Sequence, residues 1–97
     1  MHKTYGTGRR KTSSARVYLY SGTGEIKINS QGVDEFTKSA TLTANLLAPL
    51  TKTQMQDKVN LNISVAGGGK SGQVGAIVHG LTRALVKYQN DLLPTLK

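Results

Sequence analysis

Between Val59 and Tyr88 the sequence changes its period, and that change dictates a strand, a bend and a helix in succession. Val59, Leu61, Ile63 and Val65 alternate with Asn60, Asn62 and Ser64, the pattern of a strand with one buried face. Gly67-Gly68-Gly69-Lys70-Ser71-Gly72-Gln73 follows. Beyond it, Val74, Ile77, Leu81, Leu85 and Tyr88 recur at helical spacing, with Val78 and Ala84 at the margins of the stripe. The opposite face reads Gly72, Ala76, His79, Gly80, Arg83 and Lys87, small near the helix start and basic further along. A glycine bend entering a helix presents backbone N–H groups at the positive end of the helix dipole, which suits an anion. Its lack of side chains also lets another backbone come close.

Upstream, residues 1–14 read as an extended basic arm or edge strand. Lys3, Arg9, Arg10, Lys11 and Arg16 all precede the first acidic residue, and Tyr5, Thr7, Thr12, Ser13 and Ser14 lie among them. Cations, hydroxyls and an aromatic ring are what phosphate-backbone binding uses; a solvated terminus has the same composition. Ala15, Val17 and Leu19 alternate with Arg16, Tyr18 and Tyr20, and Ile26 and Ile28 repeat the pattern after Ser21-Gly22-Thr23-Gly24. This predicts a hairpin over 15–29, with Tyr18 and Tyr20 stacking on bases, covering the outer sheet face or packing under a neighbouring loop. Val33 to Leu47 reads as helix, broken near Lys38-Ser39 and stopped by Pro49, with Val33, Phe36, Ala40, Ala44 and Leu47 on one stripe. Its frequent Thr lowers helix propensity, so packing is expected to hold it. Residues 51–58 form a polar connection and 89–97 a loose end broken at Pro94. The elements run strand, strand, helix, strand, helix. The class is α+β, a small sheet packed against helices, in one domain over 1–97.

Charge and motif content narrow the chemistry. Thirteen Lys and Arg against five Asp and Glu give +8 on 97 residues, which points to a polyanionic partner. Without cysteine, disulfides and thiolate metal sites are excluded. No apolar run approaches the roughly 20 residues of a membrane span, and the N-terminus lacks the apolar core of a secretory signal. A cytosolic or organelle-interior location fits. Gly69-Lys70-Ser71 resembles the end of a phosphate-binding loop, but Ser64 stands where its leading glycine belongs. Gly67, Gly69 and Gly72 satisfy a dinucleotide pattern, yet the next strand and its acidic residue do not follow. His2 and His79 are isolated, and Asp34-Glu35 suits a helix start. No catalytic group, metal ligand, cofactor or small-molecule substrate is expected. The rival is a small phosphate- or nucleotide-binding enzyme using the Gly67–Gly72 turn.

Two motifs carry a resemblance. Tyr5-Gly6-Thr7-Gly8-Arg9-Arg10-Lys11-Thr12-Ser13-Ser14-Ala15-Arg16-Val17 resembles the opening of the bacterial-type small-subunit ribosomal protein S-nine family. Gly67-Gly68-Gly69-Lys70-Ser71-Gly72-Gln73-Val74-Gly75-Ala76-Ile77-Val78-His79-Gly80 resembles its second signature, continued by Thr82-Arg83-Ala84-Leu85. The likeness spans the chain and is weakest over 30–58. It implies a fold similar to the second domain of ribosomal protein S-five, with an unusual left-handed crossover, and a non-catalytic role. It implies binding to small-subunit ribosomal RNA of the head, the 3′ major domain, beside neighbouring ribosomal proteins. By position Arg9, Arg10, Lys11, Arg16, Gly67, Gly68, Gly69, Lys70, Ser71, Gln73, His79 and Arg83 would meet that RNA. Where the family often has a neutral residue and an Arg, this chain has Lys70 and Val78, which moves charge along one face. Members of the family continue into a long basic tail that reaches transfer RNA in the peptidyl site. The sequence here ends at Lys97, so that contact is not expected of it. An RNA-binding role outside the ribosome shares the same composition.

Overall fold

The computed structural model describes residues 3–92, with side chains through residue 90. Its elements are β1 (Lys3–Arg10), β2 (Ser13–Ser21), β3 (Ile26–Ile28), α1 (Val33–Thr37), α2 (Ala40–Thr53), β4 (Val59–Ala66) and α3 (Lys70–Leu92). The four strands form one sheet in the order β1-β2-β4-β3. The β1–β2 and β2–β4 pairs are antiparallel, and β3 runs parallel to β4. The class is α+β, with helices packed on one face of a small sheet.

The alternation read from the sequence decides which face that is. Ala15, Val17 and Leu19 of β2 and Val59, Leu61, Ile63 and Val65 of β4 are buried. They meet Val74, Ile77, Leu81, Ala84, Leu85 and Tyr88 of α3, the stripe its 3.6-residue spacing predicts. Leu46 and Leu50 of α2 and Phe36 of α1 complete the core. Tyr88 is buried, and its hydroxyl lies 2.8 Å from the hydroxyl of exposed Ser21, so the polar tip of the ring is bonded at the margin of the core.

The N-terminal segment is a strand, not an arm. Gly6 and Gly8 explain why it seats so closely on α3. A β-carbon at Gly8 would strike the Ala76 carbonyl oxygen and the Gly80 nitrogen, and one at Gly6 would strike the Gly80 carbonyl oxygen. Ala76 and Gly80 are therefore fully or nearly fully buried beneath β1. Helical spacing alone places both opposite the apolar stripe, so their burial departs from the expectation. Small residues on both elements let two backbones meet, and α3 is buried on two sides near its start.

The predicted hairpin over 15–29 is not formed. Each strand has two edges, and β1 and β4 occupy both edges of β2. The Ser21–Glu25 loop instead crosses the start of β4. There the Asn60 Oδ1 accepts from the backbone N–H groups of Thr23, Gly24 and Glu25 at 2.9, 3.1 and 2.9 Å. The Gly22 N–H donates to Lys58 O and the Leu61 N–H to Glu25 O. The chain is thus carried over to the far edge of β4. Asn29, in the left-handed region at φ 51°, then extends the pairing with its side chain, donating to Val65 O and accepting from Val65 N–H, each at 3.0 Å.

The helical break at Lys38-Ser39 is present. Lys38 is left-handed at φ 52°, and Ser39 caps α2 by accepting from Leu42 N–H. The phase of the stripe resets there, so Ala40 and Ala44 are exposed while Leu46 and Leu50 are buried. Pro49 does not stop α2, which continues to Thr53. Proline removes one backbone donor, but Leu46 and Leu50 lie one turn apart on the core side and hold the helix across it. The Thr53 hydroxyl donates back to Pro49 O at 2.8 Å. At the other end of the chain, Gln89 through Leu92 continue α3 rather than forming a loose end; residues 93–97, with Pro94, lie outside the described residues.

Candidate nucleic-acid interface

The two stretches singled out by sequence meet at one end of the molecule. β1 ends at Arg10, the chain turns through Lys11 and Thr12, and β2 begins at Ser13 opposite Arg10. Lys11 takes the left-handed conformation at φ 56°, which costs an L-residue roughly 1–2 kcal/mol and puts its ammonium group at the exposed tip. This turn stands on the bend between β4 and α3. The Ser13 hydroxyl donates to Gly67 O at 2.8 Å. Gly67 and Gly68 have φ of 85° and 63°, and a β-carbon on Gly68 would lie 2.5 Å from Ser13 Oγ. Both glycines are required by the protein's own turn. The Gln73 amide, one turn into α3, donates to the same Gly67 carbonyl at 3.2 Å. Three of the predicted contact residues, Gly67, Gly68 and Gln73, therefore build the bend from within.

Gly69 differs: nothing lies within 4 Å of where its β-carbon would be. It precedes α3, and its carbonyl accepts from Gln73 N–H. The first turn of α3 holds no acidic residue, so its N–H groups and dipole are not offset by a carboxylate in that turn. Ser71 is exposed beside it. Lys70 turns toward α1, where its Nζ sits 3.9 Å from the Phe36 ring centroid, a cation–π contact.

The basic residues divide between surfaces. Arg10 lies along α3, its Cδ and Cγ 2.9 and 3.2 Å from a β-carbon built at Gly75. Arg9 and Arg16 project from the uncovered face of the sheet. His79 and Arg83 flank the outer edge of β1. His79 Nδ1 accepts from Arg9 N–H at 3.3 Å, and Arg83 Nη1 donates to Thr7 O at 3.3 Å. These bonds occupy backbone groups that an edge strand would otherwise offer to another chain. Arg83 and His79 remain exposed. No local pattern signals this edge contact, because it joins residues 70 and 76 positions apart.

The family model for ribosomal protein S9/S16 matches residues 8–97. The chain belongs to the ribosomal protein S9/S16 family. The match takes in the basic tip, the glycine bend and α3 together. It makes this chain a structural protein of the small ribosomal subunit, in a family without enzymatic function. Among the described residues no helix is long and apolar enough to cross a membrane.

Proposed function

We propose that this S9-family chain binds ribosomal RNA of the subunit head, the 3′ major domain, through the end where the β1–β2 turn stands on the glycine bend. The juxtaposition of that cationic turn with a helix start whose first turn holds no acidic residue, made by the Ser13–Gly67 hydrogen bond, carries the reading. Arg9, Arg10, Lys11 and Arg83 neutralise phosphates. The open space at Gly69 admits a ribose-phosphate backbone to the α3 N–H groups, with Ser71 adding a hydrogen bond to phosphate or 2′-hydroxyl. Lys70 adds charge at the same end, and His79 sits between Arg9 and Arg83. Gly67, Gly68 and Gln73 act indirectly, by fixing the shape of the bend. Neighbouring small-subunit proteins are the remaining partners.

Filter binding to a transcript of the head domain tests this. Neutralising about five phosphates gives a log–log salt slope of roughly −3 to −5, and replacing Arg9 and Arg10 with Ala reduces its magnitude by about two. A flat salt response would overturn the reading. In extracts the chain is expected to sediment with small subunits at moderate salt and to leave them at high salt.

A further inference from the structure

All three helices lie on one face of the sheet, and among the described residues nothing covers the other. We propose that this open face is a stacking platform for unpaired nucleotides of the bound RNA, an inference that rests on the RNA-binding reading above and adds a second surface to it. The register sets Tyr5 directly opposite Tyr18. Their ring centroids are 4.8 Å apart at a tilt of 37°, yet the residues remain 41% and 37% exposed. A cross-strand aromatic pair strengthens a sheet by itself, which accounts for the rings but not for their surroundings.

The charged strand residues around them are all cationic. Lys3 and Arg9 share the β1 side of the face with Tyr5, Arg16 is two residues from Tyr18, and Lys27 lies across from Asn62 on β3. β1, β2 and β4 contain no Asp or Glu; the acidic residues nearest them in sequence, Asp57 before β4 and Glu25 before β3, lie outside the strands. The face is complementary to a polyanion. Shallow hollows flank Tyr18, one beside Lys3, Tyr20 and Asn62, the other beside Arg16 and Ser64. Same-face residues on a strand are about 6.8 Å apart, so the hollows sit one side-chain step to either side of the ring. Cations alone would serve a duplex, whose base faces are stacked and out of reach. Exposed tyrosines among cations and amides serve bases that are unstacked, with Lys and Arg on the phosphates and Asn62 and Ser64 on base edges or 2′-hydroxyls.

The test compares the full chain with Tyr5→Leu/Tyr18→Leu and Tyr5→Phe/Tyr18→Phe, using an unpaired oligoribonucleotide and an A-form duplex at one salt concentration. Loss of the rings is expected to weaken binding of the unpaired probe by about 5- to 150-fold for each stacked base, with the duplex affinity and the salt slope unchanged; the Phe variant keeps wild-type affinity. The chain has no tryptophan, so tyrosine emission reports directly, and the unpaired probe is expected to quench it in the wild type, whether or not the Leu variant folds. Unquenched emission, equal binding by wild type and Leu variant, or equal loss in the Phe variant would overturn the platform. Displacement of the probe by poly-glutamate with the tyrosines equally quenched would assign the face to an acidic protein segment instead. If the head-domain transcript still binds with its steep salt slope in those cases, the platform alone fails. If the wild type binds no RNA, both readings fail.

Discussion

Replacing Gly8 with Ala sets two rules against each other, and the structure decides between them. A glycine inside a strand is unfavourable, so Ala gains roughly 0.5–1 kcal/mol from backbone entropy. The new methyl group, however, falls on the Ala76 carbonyl oxygen and the Gly80 nitrogen of α3. Both are backbone atoms inside a helix, so neither can rotate away. The new methyl would stand 2.0 Å from the Ala76 oxygen, so ordinary contact requires β1 and α3 to part by more than about 1 Å, which forfeits at least about half of the dispersion energy of each contact between them. Overpacking of this kind costs about 3 kcal/mol. The net loss is about 2 kcal/mol, and for a chain of 97 residues that lowers Tm by about 8–16 °C. Thermal unfolding followed by circular dichroism measures it, with Gly69→Ser as the control; Gly69 faces open space, and its change should stay below ~0.5 kcal/mol. A Gly8→Ala melt within about 2 °C of wild type would refute the seating of β1 on α3, and with it the buried assignment of Ala76 and Gly80.

Two further outcomes probe the path of the chain around β4. Asn60→Ala removes the acceptor shared by Thr23, Gly24 and Glu25 N–H; it should cost about 1–2 kcal/mol and speed amide exchange at those three residues, whereas Asn60→Asp keeps an acceptor oxygen and should restore their protection. Asn29→Ala loses both side-chain bonds to Val65 and leaves a left-handed alanine, for about 2–3 kcal/mol in all; the urea midpoint should fall with m unchanged.

Local pattern made several features legible. The period change at residues 59–88 gives β4, the bend and the buried stripe of α3, because alternation and helical spacing are properties of consecutive residues. Lys38-Ser39 marks the break between α1 and α2, since the serine that caps the second helix is adjacent to the residue that ends the first. The motif resemblance located the basic tip and the bend. The same reasoning misplaced Ala76 and Gly80, because smallness looks alike whether it faces water or another backbone. It ended α2 at Pro49, because a missing N–H is visible in the sequence and the burial of Leu46 and Leu50 is not. It set β3 on β2, because a short loop between alternating segments suggests a hairpin unless a third strand has claimed the edge.

Sequence alone therefore determined which residues of β2, β4 and the apolar stripe of α3 face inward, where the cationic residues are concentrated, and that a side-chain-poor bend precedes a helix. Tertiary structure decided which strand neighbours which, that Gly67 and Gly68 serve the Thr12–Ser13 turn while Gly69 stays open, and that His79 and Arg83 close the edge of β1. The division has one physical cause. Period, charge and propensity act between residues a few positions apart, whereas strand pairing and backbone contact join residues such as Ser13 and Gly67, or Thr7 and Arg83, whose proximity exists only once the sheet has formed.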